Sequence, residues 1–185
     1  LGPGSARRLD GAQAQHARVL RLRVGDAVEL FDGEGHRAAA EVTAMDRRDV
    51  EVRVTEALPP AGTEPPVAIT VVQGLARGSR MSEVIRHGTE LGVVRFVPVR
   101  CTRSTRKDGN VARWTAVALE AARQCGRDVI PTVEPVMDLS AWLATPCDGP
   151  RLMLDTAAAP SLRATLDGPA PSALTILVGP EGGLD

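Results

Sequence analysis

Leu174-Thr175-Ile176-Leu177-Val178-Gly179-Pro180-Glu181-Gly182-Gly183 is the stretch on which the fold of this chain turns. Its first half is continuously apolar or β-branched, the pattern of a strand buried on both faces. It then runs directly into a glycine-rich loop. In open α/β sheets ligands bind at the carboxyl ends of such strands, because backbone without side chains can approach a nucleotide-like molecule closely. Pro beside Gly also punctuates ordinary tight turns. The loop alone does not separate a ligand seat from a turn, so the surrounding sequence must.

Back from this loop, strands alternate with helices. Residues 151–154 read as a strand and 161–166 as a brief helix. Residues 138–144 read as a short helix with Asp138 at its N-cap. The segment 111–126 is a longer helix with Trp114, Ala118, Ala121 and Cys125 inward and Gly126 at its stop. Apolar strands are expected at 93–99 and 67–73, separated by a helix over 80–91 on which Met81, Val84, Ile85, Gly88 and Leu91 recur at helical spacing. Repeated βα units predict an α/β domain with a mostly parallel sheet covered on both faces.

The N-terminal third has a different rhythm. A short helix is expected over 10–22, then alternating strands at 27–31, 36–42 and 50–54, with Asp32-Gly33-Glu34-Gly35 as a turn. That pattern predicts a small antiparallel barrel or sheet. The two regions are joined by Leu58-Pro59-Pro60-Ala61-Gly62-Thr63-Glu64-Pro65-Pro66, which continues neither helix nor strand. The expected organisation is therefore a first domain over 1–58, a linker over 59–66 and a second domain over 67–185.

Composition narrows the class. The chain has 185 residues, 43% hydrophobic, but only 2% aromatic and no Tyr, so its cores must be built from Val, Leu, Ile and Ala. No apolar run is long enough to cross a bilayer, and the first residues do not resemble a secretion signal. Cys101, Cys125 and Cys147 form no close pair and read as thiols of a reducing compartment, the cytoplasm. His16, His36 and His87 are scattered, and no metal site is expected.

A net charge of −1 conceals an asymmetry. Residues 77–127 carry 11 basic against 4 acidic side chains, and residues 128–185 carry 2 against 8. Every basic residue but Lys107 is Arg. Guanidinium groups fork phosphates and stack on bases, so the middle segment points to a polyanion such as RNA. Within it Arg113, Glu120, Gln124 and Arg127 fall on one stripe of the 111–126 helix, with Arg123 at the edge, opposite Trp114. The basic loop 100–109 follows a strand, where functional loops concentrate. Other chemistries lack their signatures: Arg77-Gly78-Ser79-Arg80 is not a phosphate loop, no nucleophile elbow is present, and Asp155 and Glu181 do not by themselves make an acid–base pair.

Three passages, in order and spacing, resemble the RsmE-type ribosomal RNA uracil methyltransferases of the knotted SPOUT superfamily. They are Thr89-Glu90-Leu91-Gly92-Val93 with Pro98 and Arg100, Glu120-Ala121-Ala122-Arg123-Gln124-Cys125-Gly126-Arg127 with Ile130-Pro131, and Leu177-Val178-Gly179-Pro180-Glu181-Gly182-Gly183. His16-Ala17-Arg18-Val19-Leu20-Arg21 and Leu30-Phe31-Asp32-Gly33 fit as well, so the resemblance covers nearly the whole chain.

The resemblance implies a PUA-like antiparallel β-barrel followed by a trefoil-knot methyltransferase domain, working as a homodimer in ribosome biogenesis. The implied reaction is methyl transfer from S-adenosylmethionine to ring nitrogen 3 of a uracil in 16S ribosomal RNA. Gly179, Pro180, Glu181, Gly182 and Gly183 would form one cofactor wall, and Leu154 and Asp155 another. Arg18, Arg21, Arg103, Arg106, Lys107 and Gln124 would contact RNA. Arg127 or Arg123 would stabilise the uracil anion as its proton leaves. Family members continue with a helix, a strand and a loop that close the knot. These 185 residues are therefore expected to hold only part of the cofactor site and not to be active by themselves. The segment between Arg100 and Trp114 is shorter than the family pattern, and Asp155 stands where a His is common. From a different class, a noncatalytic RNA-binding or ribosome-assembly module would use the first domain and the Arg-rich segment alone.

Overall fold

Along β4 (Val50–Leu58) the side chains of Val50, Val52 and Val54 are buried while Glu51, Arg53 and Thr55 face solvent, the two-residue period of a half-buried strand. The computed structural model describes residues 2–102, 109–155, 157–159 and 161–184. It divides into two units, Leu1–Gly62 and Thr63–Asp185.

In the first unit, β4 is flanked by β1 (Ala6–Leu9) and β3 (Arg37–Met45), and β3 by β2 (Ala27–Phe31), an antiparallel sheet in the order β1-β4-β3-β2. Helix α1 (Gly11–Val19) lays Ala14 and Ala17 on Ala40, Val42, Val50 and Val52. Strand β1 is additional to the expected strands. Ala6-Arg7-Arg8-Leu9 shows no apolar alternation because it is an edge strand with only Leu9 partly covered. The helix is also shorter than expected. Leu22 N–H donates to Ala17 O at 3.1 Å and Arg21 N–H to Arg18 O at 2.9 Å, the paired bonds of a Schellman stop. Arg21 occupies its left-handed position at φ +57°, where glycine is the usual residue.

The second unit is a parallel sheet in the order β7-β6-β5-β10-β9, with β8 also pairing β6. Its strands are β5 (Ala68–Gly74), β6 (Val93–Arg100), β7 (Thr132–Val133), β8 (Met137–Asp138), β9 (Arg151–Met153) and β10 (Ala173–Val178). The helices are α2 (Arg80–Glu90), α3 (Val111–Cys125), α4 (Leu139–Leu143) and α5 (Leu162–Thr165). Successive residues of β6 point to opposite faces. Phe96 packs with Met81, Ile85, Trp114 and Ala118, while Val97 and Val99 pack with Val72, Trp142 and Leu177. Gly88 lets α2 lie close on the sheet, since a Cβ there would stand 2.7 Å from the Phe96 ring. The two short strands β7 and β8 escape sequence reading because two residues carry no period.

The Pro-rich stretch belongs partly to this second unit. Thr63 Oγ1 donates to Gly126 O at 3.1 Å, Glu64 pairs with Arg127, and the Pro65 ring lies against Gly92.

Candidate active site

Because every strand of the second sheet runs the same way, the carboxyl ends of β5, β10 and β9 lie side by side, with Val178 opposite Gln73 and Leu177 opposite Met153. The chain that leaves β10 must turn there. It does so through a turn closed by Gly183 N–H on Pro180 O at 2.9 Å, with Gly183 at φ +81°. The turn folds so tightly that a Cβ on Gly179 would meet Leu184 Cγ at 3.0 Å.

Beneath it, a Cβ on Gly74 would stand 2.5 Å from Pro180 Cδ and 2.6 Å from Pro180 N, so only glycine fits at the end of β5. The buried Gln73 amide donates from Nε2 to Gly74 O at 3.0 Å and to Gly179 O at 3.3 Å. From the other side, Glu181 Oε1 accepts from Arg77 N–H at 3.1 Å and from Arg80 Nη1 at 2.9 Å. The Arg77 amide, with the Arg80 charge adding to it, holds the Glu181 carboxyl below its ordinary range, so it is ionised at neutral pH.

Against this turn opens a cleft of about 960 Å³, walled by Val178, Gly179, Pro180, Gly183 and Leu184 on one side and by residues 151–155 with Ala158, Ser161, Leu162 and Thr165 on the other. Its chemistry is bare backbone, aliphatic side chains and few charges. Leu154 extends the β9 ladder by donating to Leu177 O at 3.0 Å. The Asp155 side chain accepts from Ala157 N–H at 2.8 Å and shapes the loop that follows. Arg151 is held over the Trp142 ring at 4.7 Å and bonds Leu143 O and Cys147 Sγ, which fixes it in the wall.

Of the residues expected at a cofactor, Leu154, Asp155, Gly179, Pro180 and Gly183 come together around this cleft, whereas Glu181 and Gly182 are not part of its lining. Sequence reading did not single out Gln73, Gly74, Ser161, Leu162 or Thr165. A glycine ending a buried strand was the available signal for Gly74.

Arg127 does not occupy the exposed stripe expected of it. Helix α3 stops at Cys125, and Gly126 turns left-handed at φ +73°, so the helical spacing does not carry through to Arg127. The side chain is 2% exposed and is bound from three directions. Its Nη2 donates to Glu64 Oε2 at 2.6 Å, and Nη1 donates to Thr89 O at 3.0 Å and Val93 O at 2.8 Å. The Thr89 carbonyl lies in the last turn of α2, where a cation satisfies orphan acceptors and complements the helix dipole. Arg127 is thus a structural joint and is unavailable to a substrate. Arg123 also lies outside the cleft lining; its Nη1 is 4.0 Å from Glu120 Oε2.

The residues expected at RNA are distributed over both units. Arg18, whose Nη2 reaches Asp46 O at 3.4 Å, and exposed Arg21 stand at the end of α1. Gln124 is exposed on α3 and donates to Glu120 Oε1 at 3.3 Å. Arg103, Arg106 and Lys107 lie outside the described residues. The first unit also contains a grouping that the scattered histidines did not suggest, in which ligand-type atoms of Asp32, Glu34 and His36 fall within 4.8 Å of one another. The contacts there brace the β2–β3 hairpin, with His36 Nδ1 2.7 Å from Asp32 Oδ2 and the Glu34 amide donating to Asp32 Oδ1 at 2.8 Å. No helix among the described residues is long and apolar enough to cross a membrane.

Known proteins share this arrangement. Residues 63–185 match the family described as RNA methyltransferase domain, and residues 9–55 match the RNA methyltransferase PUA domain. Ribosomal RNA small subunit methyltransferase E of Mycobacterium bovis is 34% identical over 98% of this chain and 72% of its own length. The protein of that name from Bacillus subtilis is 29% identical over 95% of this chain and 74% of its own. Among solved structures, ribosomal RNA small subunit methyltransferase E from Neisseria gonorrhoeae bound to S-adenosyl methionine superposes with a TM-score of 0.89 at 30% identity, over 100% of this chain and 78% of that one. A Legionella pneumophila methyltransferase in complex with the bound cofactor SAM gives 0.91 at 27% identity, over 100% and 78%.

Proposed function

This chain belongs to the RNA methyltransferase family, with a PUA-like unit ahead of a SPOUT-type catalytic unit, and on that premise we propose that it methylates nitrogen 3 of a uracil in 16S ribosomal RNA using S-adenosylmethionine. The observation that carries the reading is the cleft at the carboxyl edge of the parallel sheet, where a glycine turn and the 154–155 segment face one another.

The residues present suit that cofactor. An adenosine needs close backbone approach and an aliphatic wall for its ring; Gly179 and Gly183 supply the first, and Leu154, Leu162, Val178 and Leu184 the second. Bound there, the cofactor supplies an electrophilic methyl group on a sulfonium, whose leaving group is already activated. The protein's contribution is mainly position, since a preorganised cleft converts an encounter between two molecules into a nearly unimolecular step.

The uracil nitrogen carries a proton at neutral pH, so negative charge develops on the flanking carbonyls as that proton leaves. A guanidinium facing them lowers the cost. With Arg127 committed to Glu64, Thr89 and Val93, we assign this role to Arg123 in the homodimer that the family resemblance implies. Arg18 and Arg21 would hold phosphates and set the register of the RNA. We place the enzyme in the cytoplasm, where ribosomal RNA is assembled.

The test is methylation of purified small subunits or 16S RNA with labelled cofactor, followed by mass spectrometry of the nucleosides. Appearance of 3-methyluridine is expected. Label transfer to another base, or no heat on titrating cofactor into the full-length protein, would count against the reading. Arg123→Ala should lower kcat while leaving cofactor affinity unchanged.

A further inference from the structure

We propose that Glu181 is a positioning residue: it fastens the glycine turn to the start of α2 and so keeps the cofactor wall in shape, without itself touching the cofactor. The inference rests on the cofactor assignment made above and concerns how that site is built.

Contacts from one short segment, residues 73–80, hold the turn. Gln73 reaches Gly179 O, Gly74 lies flush under Pro180, and Arg77 N–H with Arg80 Nη1 binds Glu181. The first two act on the strand side of the turn. Glu181 acts on the far side, reaching the Arg77 amide and the Arg80 guanidinium at the start of α2.

The geometry also separates the residues of the turn by role. Pro180 and Gly183, joined by their own backbone bond, present their faces to the cleft, while Glu181 at the tip directs its carboxylate to Arg77 and Arg80. An ionised carboxylate near a helix N-terminus and beside a guanidinium is favourable in that position on electrostatic grounds. The cleft lining passes from Pro180 to Gly183 and omits Glu181.

Four variants test the proposal: Glu181→Ala, Glu181→Gln, Arg80→Ala and the double variant Arg80→Ala with Glu181→Ala. Hydrogen–deuterium exchange over residues 177–184 is measured without any ligand, and cofactor affinity is measured by calorimetry. Exchange should accelerate in both alanine variants. The dissociation constant for S-adenosylmethionine should rise roughly tenfold in Glu181→Ala, which loses both bonds, and about threefold in Arg80→Ala, which loses one exposed ion pair. Glu181→Gln keeps an acceptor for the Arg77 amide and should fall between wild type and Glu181→Ala. The double variant should be no weaker than Glu181→Ala, because both changes break one clasp.

Additive losses would show that Arg80 and Glu181 act separately, and lost affinity with unaltered exchange would show that Glu181 contacts the cofactor directly; either would overturn the proposal. A full-length wild-type protein that bound no cofactor would overturn the functional reading instead, and the exchange data would still decide whether the clasp exists.

Discussion

Glu64 and Arg127, 63 residues apart in sequence, meet at 2.6 Å, and between them they tie the end of the Pro-rich stretch to two elements of the catalytic unit. Glu64 also accepts from the Val129 amide at 3.1 Å, while Arg127 reaches the carbonyls that flank the α2–β6 corner. Removing the carboxylate strands a buried guanidinium beside two carbonyls that cannot neutralise it. Glu64→Ala should therefore cost about 3 kcal/mol of stability, read from urea midpoints. Arg127→Lys should recover little, because one ammonium cannot span the three acceptors. A fully stable Arg127→Ala protein that had lost catalysis would show that the joint assigned here is in fact catalytic.

The same pair makes stability depend on acid. Burial alone would raise the Glu64 carboxyl, but the Arg127 hydrogen bonds and the Val129 amide outweigh it and hold the group below its ordinary range. A carboxyl with a lowered folded-state value stabilises the fold above its unfolded value, about 4.3, and loses that contribution as pH falls through the folded one. Thermal melts taken from pH 6 down to pH 3 should fall, and Glu64→Gln, already weaker at pH 6, should fall less. Parallel curves for the two proteins would contradict this.

Gly74 leaves no room for any side chain. Gly74→Ala places a methyl group against the Pro180 ring and backbone nitrogen, so the turn must lift or the strand end must shift. Overpacking of this kind costs about 1–3 kcal/mol. The expected result is a modest fall in melting temperature with at least a roughly tenfold loss of cofactor affinity. Unchanged affinity would mean that the turn does not form the cofactor wall.

Arg21 offers a change with opposite effects on stability and binding. It holds a left-handed conformation at φ +57° that costs an L-residue about 1 kcal/mol relative to glycine. Arg21→Gly should stabilise the protein by roughly that amount in denaturant. If Arg21 contacts a phosphate, the same variant should weaken RNA binding and reduce its salt slope by about 1. A stabilised variant with unchanged RNA affinity would remove Arg21 from the interface.

The sequence disclosed the large elements because each carried a period: alternation in the first unit, apolar strands and amphipathic helices in the second. It disclosed the glycine turn because a buried strand and a run of glycines adjoin. What it concealed depends on distance in the chain. Helical spacing placed Arg127 on an exposed face, yet one left-handed glycine redirected it into the interior. Nothing local to Glu64 marks it as a buried partner, and nothing local to Glu181 points to Arg80, 101 residues earlier. Pairings of that kind exist only once the sheet has formed. Edge strand β1 and the two-residue strands β7 and β8 lacked a pattern to read for the simpler reason that they are short or uncovered.

The position of β10 has a consequence for biogenesis. Ala173 pairs with Ala68, synthesised 105 residues earlier, so the seam between β5 and β10 cannot close until β10 has left the exit tunnel. Among the described residues the strands of the first unit pair only with one another, β1 to β4. During translation the first unit is thus the earlier to mature, while β5 and β6 wait with β5's open edge exposed. Loop-closure entropy slows such long-range pairing, and this interval is when the nascent enzyme is most prone to misassociate with its neighbours.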